Sequence, residues 1–310
     1  MRTAGRKAFE SMLKSVLHRA LSALGLATLL VGAPAASKTP QAQPALWEVS
    51  DHDTTIYLFG TIHLLPKDYQ WRTSKFDQAL NGSQELVVET VIDEKDPGKL
   101  MAAIASLGFA EGLPPLAERV PAEKRAALQA AIARTKMPPA AFDRMKTWTA
   151  AFLLMGDQFK DMGLKGGDGV EAVLRNKFLS EGKSVGELES NVEQLTFFNA
   201  LPEGAQRALL EGALEPAQGG MDKQFSAMLR AWASGDVSAV AKTFDQDMSS
   251  TPDLQKILIA ERNQNWSRWI GKRMAQPGAV MVAVGAGHLA GKYSLVSMLK
   301  RDGYRVRRLQ

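Results

Sequence analysis

The chain has four histidines, and two of them close the same small motif. Gly60-Thr61-Ile62-His63 lies near the start and Gly285-Ala286-Gly287-His288 near the end. Each Gly-x-x-His follows an apolar run, Ile56-Tyr57-Leu58-Phe59 in one case and Val280-Met281-Val282-Ala283-Val284 in the other. An imidazole carries protons near neutral pH and ligates divalent metals. α/β proteins place such groups just beyond the carboxyl ends of buried strands. The repetition favours one shared site over two separate structural histidines. Gly60 and Gly285 are expected to let the backbone turn sharply at each strand end. His52, in Ser50-Asp51-His52-Asp53, reads as a solvated turn residue.

Other polar residues are candidates to join the pair. Glu89 ends the apolar run Leu86-Val87-Val88. His63, Glu89 and His288 together would make a ligand set for a divalent metal with open positions for water. The alternative is a metal-free site in which a histidine acts as general base, oriented by the carboxylate. Arg262 falls inside a helical apolar stripe, Leu254, Leu258, Trp266, Trp269 and Ile270, and Asn263 follows it. A buried Arg needs an acid or an anionic ligand, and Glu89, Glu171 and Glu189 are the candidate partners. The competing reading packs Arg262 on the tryptophan rings with its head in water. Glu171 and Glu189 read either as groups that support the site residues or face a substrate, or as acids favoured by a helix dipole. Ser190 reads as a helix cap. No Gly-x-Ser-x-Gly, phosphate-binding loop or dinucleotide fingerprint is present.

These residues need strands and turns to hold them. Leu46–Val49 and Thr55–Phe59 flank a turn and predict a hairpin that runs into the first motif. A helix from Ser74 to Leu80, stopped at Asn81-Gly82, and a strand Glu85–Glu89 follow. From about 97 to 276 the texture is helical, with breaks at Pro114-Pro115, Pro121 and Pro138-Pro139. Within it, Gly166–Gly169 reads as a turn before a helix from Val170. Lys183–Leu188 reads as a short strand, and Ser190-Asn191-Val192-Glu193 as a capping box. Thr251-Pro252 opens a helix to about Met274. Val280–Val284, a helix Ser294–Lys300 and a strand Tyr304–Val306 complete the chain. The expected fold is α/β (α+β): a mixed sheet built from the N- and C-terminal segments, with a large helical insertion. The two ends must meet, because neither has a complete sheet of its own.

The chain has 310 residues and a formal charge of +5. Residues 1–36 carry Arg2, Arg6, Lys7, Lys14 and Arg19 against Glu10, a net of +4, which leaves +1 for the rest. That argues against a nucleic-acid partner. The same segment reads as a signal peptide: a basic start, an apolar run Ala20–Val31, and Gly32-Ala33-Pro34-Ala35-Ala36 with cleavage near Ala35 or Ala36. The run is short for a membrane span, so none is expected in the mature chain. Residues 37–45 read as a linker and 46–310 as one domain. The absence of cysteine excludes disulfides, thiolate ligands and a cysteine nucleophile.

At these residues the chain resembles the TraB/GumN family, which is related to the Tiki membrane-anchored metalloproteases. The resemblance rests on Tyr57–Leu64, Leu86–Thr90, Gly169-Val170-Glu171, Gly186–Ser190 with Gln194-Leu195, Glu261-Arg262-Asn263, Val284–Gly291 and Gly303-Tyr304. It implies that His63, Glu89 and His288 support divalent-metal-dependent peptide cleavage, with Mn, Co or Zn as the ion. Where the family commonly has Asp, this chain has Glu171, and the extra methylene puts a direct role for that residue in question. The resulting expectation is an exported, periplasmic, divalent-metal-dependent hydrolase acting on peptides. The alternative expectation is a non-catalytic protein that binds a peptide, signal molecule or haem-like ligand in the same cleft.

Overall fold

The computed structural model describes residues 41–92, 98–162, 164, 169–215, 222–248 and 251–310. The expected signal peptide, the first part of the expected linker and the Gly166–Asp168 turn lie outside these residues. The elements in chain order are β1 (Leu46–Ser50), β2 (Thr54–Thr61), α1 (Ser74–Gly82), β3 (Glu85–Val88), α2 (Gly98–Leu107), α3 (Arg125–Thr135), α4 (Pro139–Asp143) and α5 (Thr147–Asp161). Then come α6 (Val170–Ser180), β4 (Ser184–Glu187), α7 (Asn191–Asn199), α8 (Glu203–Gly212), α9 (Asp222–Ala233) and α10 (Val237–Met248). The last are α11 (Pro252–Gln255), α12 (Arg262–Arg273), β5 (Gly278–Gly285), α13 (Leu295–Arg301) and β6 (Val306–Arg308).

The six strands form one mixed sheet in the order β4-β3-β5-β2-β1-β6. β5 lies in the middle and pairs in parallel with β2 on one side and β3 on the other. A strand with neighbours on both edges and helices on both faces reads as a continuous apolar run, and Val280 to Val284 is fully buried. The β2–β5 register runs from Thr54 opposite Gly278 to Thr61 opposite Gly285. The start and end of the chain are therefore zipped together over the whole length of both strands. The two Gly-x-x-His motifs emerge side by side.

The β1–β2 hairpin is closed by Asp51, whose Oδ1 accepts from the backbone N–H of Thr54 at 2.9 Å and of Asp53 at 3.2 Å. Such Asx geometry makes Asp a turn former. β6 pairs with β1 two residues later than the apolar pattern suggests. Tyr304 instead turns back, its backbone N–H donating to Leu299 O at 3.0 Å. Residues 41–45, the described part of the expected linker, pack on the core: Ala42 and Ala45 are buried, and Gln43 N–H donates to Ala233 O.

Side chains alternate across the sheet. Phe59, Leu86, Val88, Met281 and Ala283 face α1, α6, α9 and α10. Ile56, Leu58, Val87, Val280 and Val282 face α12 and α13. The helical middle has its own cluster around Leu128, Phe142 and Leu154. Buried Arg119 pins its loops there by donating to Pro114, Asp143 and Met145 carbonyls. No helix among the described residues is long and apolar enough to cross a membrane.

Candidate functional site

Because β4, β3, β5 and β2 run parallel, their carboxyl ends share one edge. Glu189, Glu89, Gly285 and His63 follow those ends in turn. Gly285 shows how closely they meet. A methyl group on its Cα would lie 3.1 Å from Glu89 Oε1, 3.7 Å from His288 Cδ2 and 3.9 Å from His63 Nε2. His63, Glu89 and His288 thus surround one point. The backbone makes no sharp turn at Gly285, whose φ is an ordinary −49°, and the space around it is tight. Gly60 is likewise crowded, with the position of a Cβ only 3.1 Å from Ala286 Cα.

The inner half of the site is a buried charge network. Arg262 is 5% exposed and engages all five of its N–H groups. Nη2 donates to Glu89 Oε2 at 2.7 Å and Glu189 Oε2 at 2.8 Å. Nε donates to Glu189 at 3.0 and 3.1 Å. Nη1 reaches Leu258 O at 3.4 Å and His288 Nε2 at 3.2 Å. The guanidinium lies over the Trp266 ring, and Trp266 Nε1 donates to Glu189 Oε1 at 2.9 Å. Glu89 also accepts from Gly285 N–H at 2.7 Å and Gln194 Nε2 at 3.2 Å. Of the three acids considered for Arg262, Glu89 and Glu189 pair with it; Glu171 does not.

This network assigns the His288 tautomer. Asn263 Nδ2 donates to two carbonyls, His288 O and Tyr293 O, which turns Asn263 Oδ1 toward His288 Nδ1 at 2.8 Å. Nδ1 therefore carries the proton, and Nε2 accepts from the guanidinium, which has only donors. Burial lowers the His288 pKa to about 3, against the pull of Glu89 and helped by Arg262, so the ring is neutral. Burial alone would raise Glu89. The charges of Arg262 and His63, with the Gly285 N–H, act against it and hold the carboxyl well below the usual range, at about 2. Glu189 is lifted above its ordinary value by burial, despite Arg262, and the Glu89 charge adds to the rise.

The outer half is built on His63, whose side chain is 70% exposed. Its Nδ1 lies 2.7 Å from Glu171 Oε1, and Thr61 Oγ1 donates to the same oxygen. Nε2 points toward the Gly285 turn. The Glu171 charge raises the His63 pKa to about 9. Water on the open flank screens the pair. Glu171 sits in the first turn of α6, where a carboxylate suits the helix dipole. That helix docks on the first motif through Val170 N–H to Ile62 O at 3.1 Å. The longer side chain at this position reaches His63 directly.

In the expected trio, His288 Nε2 lies 3.8 Å from Glu89 Oε1 and also accepts from Arg262, whose guanidinium bridges it to Glu89 Oε2. Among the described residues, one group of three has its ligand atoms within 4.8 Å of one another: Asp51, His52 and Asp53, all exposed. Sequence reasoning gave no role to Thr61 or Gln194, and Trp266 entered only as a stripe residue on whose ring Arg262 could pack, as it does. Trp266 had a usable signal, since it lies one helical turn beyond Arg262 on the same stripe.

The fold and this strand-end cluster define an α/β protein that gathers its polar residues at the carboxyl edge of a mixed sheet. The chain belongs to the TraB/PrgY/gumN family, whose profile matches residues 45–308. It is 27% identical over 247 residues to the Escherichia coli (strain K12) protein YbaP, described as uncharacterized, covering 79% of this chain and 87% of that protein. YbaP of Shigella flexneri matches to the same extent. No solved structure matches the chain.

Two outcomes follow from this geometry. A Cβ at Gly169 would stand 2.0 Å from His63 O. Gly169→Ala is therefore expected to lower stability by at least about 1–3 kcal/mol, as overpacking against rigid backbone does; an unchanged thermal melt would contradict the docking. In ¹H–¹⁵N spectra recorded from pH 4 to 10, the His63 ring should titrate well above the 6.5 of an ordinary histidine and the His288 ring should stay neutral. A His288 ring titrating near 6.5 would rule out the buried network.

Proposed function

We propose that the chain is a hydrolase of carbonyl substrates, peptides foremost, in which His63 activates water and Glu171 orients it. The observation that carries this reading is the His63 Nδ1–Glu171 Oε1 contact of 2.7 Å on an exposed imidazole whose Nε2 faces the Gly285 turn. A carboxylate on one ring nitrogen fixes the tautomer and leaves the other nitrogen for chemistry. Nε2 takes a proton from water as the oxygen bonds to the carbonyl carbon, and the carbonyl π pair becomes an oxyanion. When that intermediate collapses, the C–N bond breaks and the amine leaves with the proton held on Nε2. Glu171 stays ionised throughout. Glu89, held by Gly285 N–H and Arg262, fixes the turn that faces His63.

Export is part of this proposal. It is supported by the basic stretch ending at Arg19, the apolar run Ala20–Val31 and the small residues up to Ala36. A periplasmic setting would present the site with extracytoplasmic peptides.

The test is a peptide and ester cleavage screen on chelator-treated protein. His63→Gln is expected to lower the rate by about 10²–10⁴-fold, the usual contribution of a general base. The active base is the neutral imidazole, so the rate should rise with pH through about 9. Glu171→Gln removes the charge that raises the pKa, so its profile should shift toward lower pH while its plateau falls. Activity that vanishes on chelation and returns with Mn²⁺, Co²⁺ or Zn²⁺ would replace this mechanism with a metal-dependent one. Stable retention of a peptide without product would make the chain a binding protein.

A further inference from the structure

We propose that Arg262 is the resident cation of a binding cradle formed by Glu89, Glu189 and His288, and that its guanidinium takes the place of a metal ion. Two carboxylates and an imidazole nitrogen are donors of the kind that Mn²⁺, Co²⁺ and Zn²⁺ select. Here all three converge on a side chain instead. Glu89 Oε2 lies 2.7 Å from Nη2, Glu189 Oε2 lies 2.8 Å from Nη2, and His288 Nε2 lies 3.2 Å from Nη1.

The chemistry of the occupant explains why it excludes others. A guanidinium cannot lose its charge in a protein, and its fork of donors matches planar acceptors. It is held on Glu189 by Nε as well as Nη2, and it is sandwiched between Trp266 at 4.8 Å and Phe197 at 5.8 Å from its central carbon to the ring centroids. A divalent ion entering the cradle would meet a fixed like charge within hydrogen-bond distance of each ligand. It would also need His288 Nε2, whose lone pair is taken. Without the guanidinium the same pocket would hold two carboxylates and a neutral imidazole, an excess of negative charge out of water. Such a pocket binds a cation or takes up protons.

This inference concerns occupancy and stands independently of the hydrolase reading. Its readout is ion content. Wild type and Arg262→Ala are each prepared in a His52→Ala background, which removes the exposed Asp51–His52–Asp53 group. They are equilibrated with Mn²⁺, Co²⁺ or Zn²⁺ and measured by elemental analysis and calorimetry. The wild-type side chain should admit no stoichiometric ion. Arg262→Ala should bind one equivalent. Adding His288→Ala should weaken that binding by at least the roughly 10–100-fold that outer-shell changes cost metal sites. Should Arg262→Ala fail to fold, Arg262→Gln is read in the same way. Two results would overturn the proposal: an ion on the protein that retains Arg262 and loses it with His288→Ala, or a folded Arg262 variant that gains no ion.

Discussion

Taking the charge of Arg262 out of water costs roughly several kcal/mol even after relaxation, and much of the site's geometry answers that cost. The acids that meet it come from different places. Glu89 follows β3, Glu189 follows β4, and Arg262 opens α12. His288 arrives in the turn after β5. Each acceptor is itself held, Glu89 by Gly285 N–H and Gln194, Glu189 by Trp266, and His288 by Asn263. A buried network of this kind is stable only when every member is satisfied. Removing one partner leaves the others charged and unmet, so the carboxyl ends of three strands and the start of one helix are fixed relative to one another.

The helix that delivers Arg262 is wound as a π-helix over Lys256–Glu261, immediately before the arginine. Single π turns recur at functional sites, where they shift the phase of a helix face. Leu258, one turn back, lends its carbonyl to Nη1. On the far side of the sheet edge, α6 begins at Val170 against the backbone of the first motif, with Glu171 one residue in. Two helix starts, one from each layer, thus supply the polar partners of the two histidines: Arg262 and Asn263 for His288, and Glu171 for His63.

The two histidines occupy the same motif and have opposite chemistry. His288 is buried against Trp266, with ring centroids 4.4 Å apart, beside a guanidinium, and is held neutral. His63 stands in water beside a carboxylate and holds its proton more tightly. Environment alone sets this difference, because desolvation disfavours an imidazolium and a neighbouring anion favours it.

Much of this was legible in the sequence. Apolar runs bounded by glycine and turn residues marked β2, β3 and β5, and the two incomplete ends of the chain required a sheet made from both. The paired motifs marked the meeting point, and an arginine on an apolar stripe called either for an acid partner or for packing on the tryptophan rings. These features are local: periodicity and residue type decide them within a few turns of chain. What the sequence could not determine is which acid meets which base. Glu171 looked as fit for Arg262 as Glu89 did, and His288 looked as fit for a metal as His63. The choice depends on the side-by-side order β4-β3-β5-β2 and on the docking of α6 and α12. Spacing along the chain carries no information about those distances. Only tertiary structure could show that one guanidinium meets Glu89, Glu189 and His288 together, because charge pairing in a protein interior is decided over a few ångströms by groups from distant parts of the chain.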